Sequence, residues 1–223
     1  MTKQLFLQAI SKFALGIVLV GLLIFLPAGT LHYFGGLLLM AVLFIPMLGA
    51  GIVMMRKAPD FLRKRISAKE TEGEQQLVIK LSGLMFIVGF VIAGLSYRFG
   101  WLLLPRWVSI LGAAILLVAY LGFAEVLREN AYLSRTIEVQ EGQTVVSTGL
   151  YGIVRHPMYA ASVFLFLAMP LVLGSVISLI IFLVYPFIIA KRIKNEEEVL
   201  EKGLDGYSEY KKRVKYRIIP FIW

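Results

Sequence analysis

Two charged motifs in the C-terminal third of the sequence combine residue types that could bind a small charged molecule. The first covers residues 148–159 and reads TGLYGIVRHPMY. Pro157 favours an extended His156 and suits the first turn of a following helix, so Arg155 and His156 would project from a helix N-terminus. Backbone N–H groups there favour an anion. The motif predicts a binding site, and an interfacial turn anchored by Arg155 is the alternative.

The second motif covers residues 191–200 and reads KRIKNEEEVL. Ile193, Leu200 and Leu204 fall on one face of a helix, because their steps of seven and four match the helical period. Glu197 falls on that same face and Glu196 at its edge. A carboxylate on a buried face needs a basic side chain or a cationic ligand as its partner. Glu197 is therefore the strongest candidate in this helix.

The tail, residues 206–223, alternates aromatic with basic side chains and ends in an apolar stretch. That pattern is typical of a segment lying on anionic headgroups at a membrane surface. Arg213 and Arg217 are further candidates for binding an acidic substrate group, since a guanidinium matches the two oxygens of a carboxylate.

The composition places these motifs in a membrane protein. Of the 223 residues 59% are hydrophobic, the formal net charge is +9 and there is no cysteine. A soluble domain of this size does not carry so many apolar residues. Without cysteine there is no disulfide framework, thiolate metal site or cysteine nucleophile. Because the basic residues flank apolar runs, membrane topology explains them and no nucleic-acid partner is expected.

Uncharged runs predict the membrane spans. The run from 13 to 55 would make a helix of about 65 Å, twice a hydrocarbon core, so it must fold back near residues 27–30. The run from 157 to 190, about 51 Å as a helix, favours a hairpin turning at Gly174, and one long tilted helix is the alternative. The predicted fold is an all-α integral membrane protein, a bundle of five or six transmembrane helices with a cytoplasmic C-terminal cofactor-binding region. Residues 1–130 hold spans at about 13–27, 31–55, 81–97 and 107–124, and residues 131–223 hold the hairpin 157–190 and the tail 191–223.

Charge sets the predicted orientation. With six spans, Arg98 and Arg106 are the two of the 23 Lys and Arg residues on the outer side, and all 14 acidic residues are on the inner side. The positive-inside rule then places both termini in the cytoplasm. The polar chemistry is expected at the cytoplasmic face, in segments 56–80, 125–156 and 191–223.

Taken together, the motifs resemble the isoprenylcysteine carboxyl methyltransferase family. The wider superfamily of that family includes phospholipid N-methyltransferases. The resemblance covers residues 144–223: the Arg-His-Pro-x-Tyr motif, an apolar hairpin, the glutamate pair 196–197 and the basic-aromatic tail. It departs at Leu204-Asp-Gly-Tyr207, where many relatives carry Phe-Gly before the tyrosine. That departure bears on the substrate more than on the cofactor.

The resemblance implies S-adenosylmethionine as methyl donor, with no metal. The acceptor would be a lipophilic molecule that enters from the lipid bilayer, as an isoprenylcysteine-like carboxylate does. We assign Arg192 and Arg217 to orienting that carboxylate. The cofactor-binding residues implied by position are Tyr151, Arg155, His156, Pro157, Tyr159, Glu196 and Glu197.

Three other functions are compatible with parts of the sequence. A phospholipid or amine N-methyltransferase would need His156 or a glutamate as base. An NADPH-dependent membrane reductase can carry a similar Arg-His-Pro-x-Tyr motif, typically with Asn where this chain has Met158. A transporter or scaffold is disfavoured because no span has a charged residue in its interior and no internal repeat is visible.

Overall fold

The computed structural model of the chain describes residues 3–59, 62–63, 73–130, 132–133 and 139–223. Its helices are α1 Lys3–Ala28, α2 Phe34–Lys57, α3 Gly73–Phe99, α4 Arg106–Glu129, α5 Pro157–Leu173, α6 Val176–Phe182, α7 Tyr185–Gly203 and α8 Tyr207–Arg213. A 3₁₀ turn, Gly149–Gly152, precedes α5. The described part of the chain therefore has the predicted all-α architecture. Parts of the predicted polar segments 56–80 and 125–156 lie outside the described residues.

Within the described residues, five helical stretches are long and apolar enough to cross a bilayer. They are Gln4–Ala28, Phe34–Lys57, Gln75–Phe99, Arg106–Glu129 and Val176–Gly203. Helix α5 is also apolar but has 17 residues, so it is about 26 Å long, slightly less than a hydrocarbon core. The chain is a multi-pass membrane protein, as predicted. Helix α3 begins at Gly73, ahead of the predicted residue 81, because an uncharged run marks only the hydrocarbon part of a helix.

Helix α5 is the central helix of the bundle. Eleven of its 17 residues are buried, and α4 packs along it while α2, α6 and α7 contact its other sides. A helix that is apolar all round is stable when other elements surround it. The first turn of α5, which carries the Arg-His-Pro-x-Tyr motif, is therefore held by several neighbours.

Two glycines allow the neighbouring helices to approach α5 closely. A Cβ on Gly35 of α2 would lie 2.7 Å from the carbonyl oxygen of Val172, and one on Gly112 of α4 would lie 2.8 Å from the Val172 nitrogen. Small residues at such positions let backbones come together in a membrane, where dispersion contacts drive helix association. The C-terminal end of α5 is fixed in this way.

The chain reverses after α5 at Gly174, whose φ of +67° is left-handed. The Leu104 N–H donates to the Gly174 carbonyl at 2.8 Å, which ties this turn to the loop between α3 and α4. The returning chain then runs antiparallel to α5, since the hydroxyls of Ser162 and Tyr185 are 3.1 Å apart. The C-terminal part of α7 is thereby brought back to the start of α5.

Pro186 explains why the returning stretch divides into α6 and α7. Proline has no N–H and cannot donate to the carbonyl of Phe182, four residues earlier. The backbone tightens there, with the Phe187 N–H donating to Val184 at 3.1 Å. Beyond the bend, α7 carries Arg192 and the two glutamates to the polar end of the bundle.

Candidate active site

The start of α5 is clamped by the tail of the chain. Arg155 and His156 are buried, at 6% and 5% exposure. Their backbone N–H groups donate to the carbonyls of Tyr216 and Arg217 at 2.9 and 2.8 Å. The Arg155 guanidinium also donates to the carbonyl of Val214 at 2.7 Å. The tail therefore forms one wall of the site, in addition to any contact it makes with lipid.

A buried ion cluster joins three segments around Glu197, which is 2% exposed. Its Oε1 accepts from Arg155 Nε at 2.7 Å and lies 3.2 Å from His156 Nε2. Its Oε2 accepts from Arg217 Nε at 2.9 Å, and Arg217 Nη2 is also 2.9 Å away. These contacts use about as many lone-pair positions as a carboxylate has. Glu197 is therefore occupied in positioning the cations around it.

Glu196 is the more accessible carboxylate, with 24% of its side chain exposed. Its Oε2 accepts from the Tyr159 hydroxyl at 2.5 Å. Its Oε1 lies 3.8 Å from His156 Nδ1, so the imidazole sits between the two glutamates. This is the carboxylate with capacity left to meet a cationic ligand group.

Arg192 extends the polar chain away from the glutamates. Its Nε donates to the Tyr159 hydroxyl at 2.9 Å, and its Nη1 donates to Gln75 Oε1 at 3.1 Å. Gln75 is 1% exposed and lies in the first turn of α3. The four side chains Gln75, Arg192, Tyr159 and Glu196 therefore form a continuous hydrogen-bonded path across three helices.

An apolar cavity of about 440 Å³ ends at this path. Arg192, Tyr159 and Tyr185 supply polar atoms at its wall, and Arg192 is the one charged residue among its described lining residues. The apolar lining residues are Val78, Ile79, Phe86, Phe123, Met158, Phe166 and Ile189. The lining comes from the apolar helices α3, α4, α5 and α7, so a lipid chain could occupy the cavity with its polar end at Arg192.

The 3₁₀ turn before α5 is anchored to the end of α4. Glu129 accepts from the Leu150 N–H at 3.1 Å. Asn130 donates to the Tyr151 hydroxyl at 2.8 Å, and the Tyr210 hydroxyl donates to the Tyr151 carbonyl at 2.7 Å. Burial raises the pKa of Tyr151 to about 12, so its hydroxyl is protonated at neutral pH. These anchors hold the turn beside the ion cluster.

Replacing Gly149 by alanine is expected to destabilise this turn strongly. Gly149 has φ +49°, and a Cβ there would lie 1.8 Å from Glu129 Oε1. Left-handed strain, together with displacement of the Glu129 carboxylate from the Leu150 N–H, should cost roughly 2 to 4 kcal/mol, which corresponds to a fall of about 5 to 15 °C in the thermal midpoint in detergent.

Gly142→Ala is the matched control for that substitution. Gly142 also has a left-handed φ, +70°, but a Cβ there meets nothing within 4 Å. Only the backbone strain should remain, so the midpoint should fall by about 2 to 4 °C. Equal losses in the two variants would contradict the anchoring role of Glu129.

The structure divides the residues singled out from the sequence into two connected groups. Arg155, His156, Glu197 and Arg217 form the ion cluster, while Tyr159, Glu196 and Arg192 form the path to the cavity. Pro157 is buried as the first residue of α5. Tyr151 is held by Asn130 instead of by either group. Arg217 is not among the cavity's lining residues, so it and Arg192 lie in different parts of the site.

Three positions in the site escape sequence reasoning: Gln75, Glu129 and Asn130. Each is a polar residue at the end of a predicted span, where polar residues are ordinary. The only available signal is that Gln75, just ahead of the uncharged run from 81, would lie at the same membrane level as the motifs. Their partners are 21 to 117 residues away in sequence, so no local pattern connects them.

The sequence model of the isoprenylcysteine carboxyl methyltransferase family matches residues 110–202, from within α4 to the end of α7. This stretch of the chain is similar to that family. The resemblance predicted for residues 144–223 is thus confirmed as far as residue 202, and it begins earlier in the chain than predicted. The tail that closes the ion cluster lies beyond the matched range.

Two known proteins with different activities are similar to parts of this chain. The Delta(14)-sterol reductase TM7SF2 of Mus musculus is 34% identical over 91 residues, which are 40% of this chain and 22% of the reductase. The match thus spans about a fifth of that relative. A solved structure of a eukaryotic intramembrane Ras methyltransferase of the family aligns with a TM-score of 0.49 and 17% identity, covering 85% of this chain and 74% of that one.

Proposed function

We propose that this protein is a membrane methyltransferase that uses S-adenosylmethionine to methylate a carboxylate on a lipid-linked acceptor. The observation that carries the proposal is the junction at Tyr159. This one hydroxyl is bonded to Glu196 of the polar site and to Arg192 at the end of the apolar cavity. A water-soluble donor and a lipophilic acceptor would meet at such a junction.

The charged groups of the site fit S-adenosylmethionine, which carries a sulfonium, an ammonium and a carboxylate. A site for it needs partners of both signs, and here Glu196 is a partly exposed anion beside the N-terminus of α5, which favours anions. When bound, the cofactor supplies a methyl group activated by the positive sulfur, so that ester formation needs no base and leaves a neutral thioether. The residues proposed to line the cofactor pocket are Tyr151, Arg155, His156, Pro157, Tyr159, Glu196 and Glu197.

The chain's own contribution is alignment and exclusion of water. Methyl transfer needs the acceptor oxygen, the methyl carbon and the sulfur in line, and a positioned pair reacts far faster than a free one. Arg192, held by Tyr159 and Gln75, would orient the acceptor carboxylate at the end of the cavity. The apolar walls would keep water out. Arg217 is assigned instead to the donor side, because it pairs with Glu197.

The charge at the cavity favours a carboxylate acceptor over an amine. Arg192 would repel a protonated amine, and the cavity's described lining residues include no carboxylate or imidazole to remove its proton. Phospholipid N-methylation is therefore less favoured than carboxylate methylation as the reaction of this protein.

A reductase using NADPH is the second candidate, because of the 34% identity with the sterol reductase over 91 residues. Its cofactor carries a pyrophosphate and a further phosphate, which require several cations free to face the ligand. The buried Arg155 and the partly exposed Arg217 pair with Glu197 instead, and Arg155 also donates to tail carbonyls. That arrangement supports the smaller, zwitterionic cofactor.

Calorimetric titration of the purified full chain in detergent distinguishes the two reactions. We expect S-adenosylhomocysteine to bind in the micromolar range and NADPH not to compete with it. Incubation of membrane extract with labelled S-adenosylmethionine should then yield a labelled lipid whose mass identifies the acceptor. Binding of NADPH without binding of S-adenosylhomocysteine would reject the methyltransferase in favour of the reductase.

We also propose that the site faces the cytoplasm, since 21 of the 23 Lys and Arg residues (all but Arg98 and Arg106) fall on its side of the predicted topology. The chain has no cysteine, so a single cysteine at the exposed Ser208 can be labelled selectively. Labelling of that cysteine from outside intact cells would contradict the proposed orientation and place the site on the outer side.

A further inference from the structure

One buried polar group near the site has no partner in the protein. Among the described residues, the Tyr207 hydroxyl is the buried side-chain oxygen or nitrogen without a hydrogen bond, although Tyr207 is only 4% exposed. Buried polar groups are almost always hydrogen-bonded, so an unbonded one needs an explanation. Phenylalanine would fill the same space without this cost, which suggests that the hydroxyl has a partner that is not part of the chain.

The position of Tyr207 points to the ligand of the candidate site as that partner. Tyr207 begins α8 and belongs to a small apolar cluster with Leu204, Tyr210 and Val214, which packs against Leu200. Leu200 lies about one helical turn beyond the glutamate pair on α7. The same cluster continues through Val214 into the tail wall, where the Val214 carbonyl accepts from Arg155.

Charged groups of both signs surround this part of the site. Burial raises the pKa of Tyr207, and the negative charges of Glu197 and Glu196 raise it further, while the positive charge of Arg155 lowers it. The hydroxyl therefore stays protonated and can donate. An environment with both signs of charge suits the zwitterionic amino-acid end of S-adenosylmethionine better than its uncharged adenine.

We propose that the Tyr207 hydroxyl hydrogen-bonds the amino-acid end of the bound methyl donor, in the pocket where Glu196 is the partly exposed carboxylate. This inference rests on the proposed function. It adds a binding residue from α8, which lies beyond the part of the chain that matches the family.

The test is calorimetric titration of wild type and Tyr207→Phe with two probes. S-adenosylhomocysteine has the amino-acid end and 5′-methylthioadenosine lacks it. The variant should bind the first about tenfold more weakly, the usual effect of one lost hydrogen bond to a charged group, and should bind the second as wild type does. The thermal midpoint of the ligand-free variant should be unchanged or higher, because an unbonded buried oxygen has been removed.

Tyr210→Phe is the matched control on the same helix. Its hydroxyl donates to the Tyr151 carbonyl at 2.7 Å, so its removal should lower the ligand-free midpoint, unlike that of Tyr207. The inference is overturned by wild-type affinity for S-adenosylhomocysteine in Tyr207→Phe, by equal losses for the two probes, or by a lowered ligand-free midpoint. Failure of the wild type to bind S-adenosylhomocysteine would instead overturn the proposed function itself.

Discussion

Substitution of Glu197 by glutamine is expected to abolish donor binding and to destabilise the protein by about 3 to 5 kcal/mol. The carboxylate is buried and pairs with Arg155, Arg217 and His156 at 2.7 to 3.2 Å. Glutamine keeps the shape but leaves the buried guanidinium of Arg155 and the partly exposed guanidinium of Arg217 without a counter-charge. The tail would then lose its attachment to α7, and with it one wall of the site. Thermal unfolding in detergent and titration with S-adenosylhomocysteine measure the two effects.

Glu198→Gln is the control for the Glu197 substitution. Glu198 is the adjacent residue, carries the same charge and is exposed, so its replacement should change stability by no more than about 0.5 kcal/mol. If Glu197→Gln has the same thermal midpoint and the same affinity for S-adenosylhomocysteine as Glu198→Gln, the ion cluster does not stabilise the site.

The spacing on α7 shows how far the sequence alone can go. Helical periodicity places Ile193, Glu197 and Leu200 on one face, and Glu197 is indeed 2% exposed. A carboxylate buried on that face needs a partner of opposite charge. Periodicity does not decide whether that partner is a protein side chain or a ligand. In the structure Glu197 pairs with protein cations, and its part in cofactor binding, like that of Glu196, stays a prediction.

The role of the tail shows where sequence reasoning stops. Its alternating basic and aromatic residues predict a membrane-surface segment. That side-chain pattern carries no information about which groups the tail backbone contacts. In the structure the tail carbonyls accept from the Arg155 and His156 N–H groups, and Arg217 lies over the Trp223 ring at 5.1 Å. The backbone hydrogen bonds of Arg155 and His156 join residues about 60 positions apart, so they follow from the fold and not from a local pattern.

The sequence predicts the apolar hairpin in part, better than it predicts the contacts of the tail but less fully than the buried face of α7. The length of the uncharged run 157–190 leaves one or two crossings open, since it is too long for one ordinary span and short for two. In the structure the returning stretch continues as helix well past residue 190, to Gly203, because the motif residues beyond the apolar run are also helix formers. The polar site therefore stands on an extension of a membrane helix, which places it next to the apolar cavity.

Substitution of Arg192 by leucine is expected to lower methyl transfer by roughly 100- to 1,000-fold, as loss of one preorganised electrostatic partner does, while S-adenosylhomocysteine affinity stays within about threefold of wild type. Arg192 ends the acceptor cavity and is not part of the Glu197 cluster. The rate should be measured with labelled S-adenosylmethionine and an S-farnesylated cysteine derivative that has a free carboxylate. Lysine at this position should restore part of the rate, because it keeps the charge and loses the planar fork.

Two further variants separate the charge of Arg192 from its position. Gln75→Leu removes the buried acceptor that Arg192 donates to at 3.1 Å but keeps the cation, so it should lower the rate by about tenfold through misplacement alone. Lys194→Ala, an exposed residue on the same helix, should leave the rate unchanged. If Arg192→Leu loses donor affinity as severely as rate, Arg192 binds the donor, and the division into a donor site and an acceptor cavity is wrong. If its rate is that of wild type, the acceptor carboxylate is oriented elsewhere, and the junction at Tyr159 no longer supports a methyltransferase.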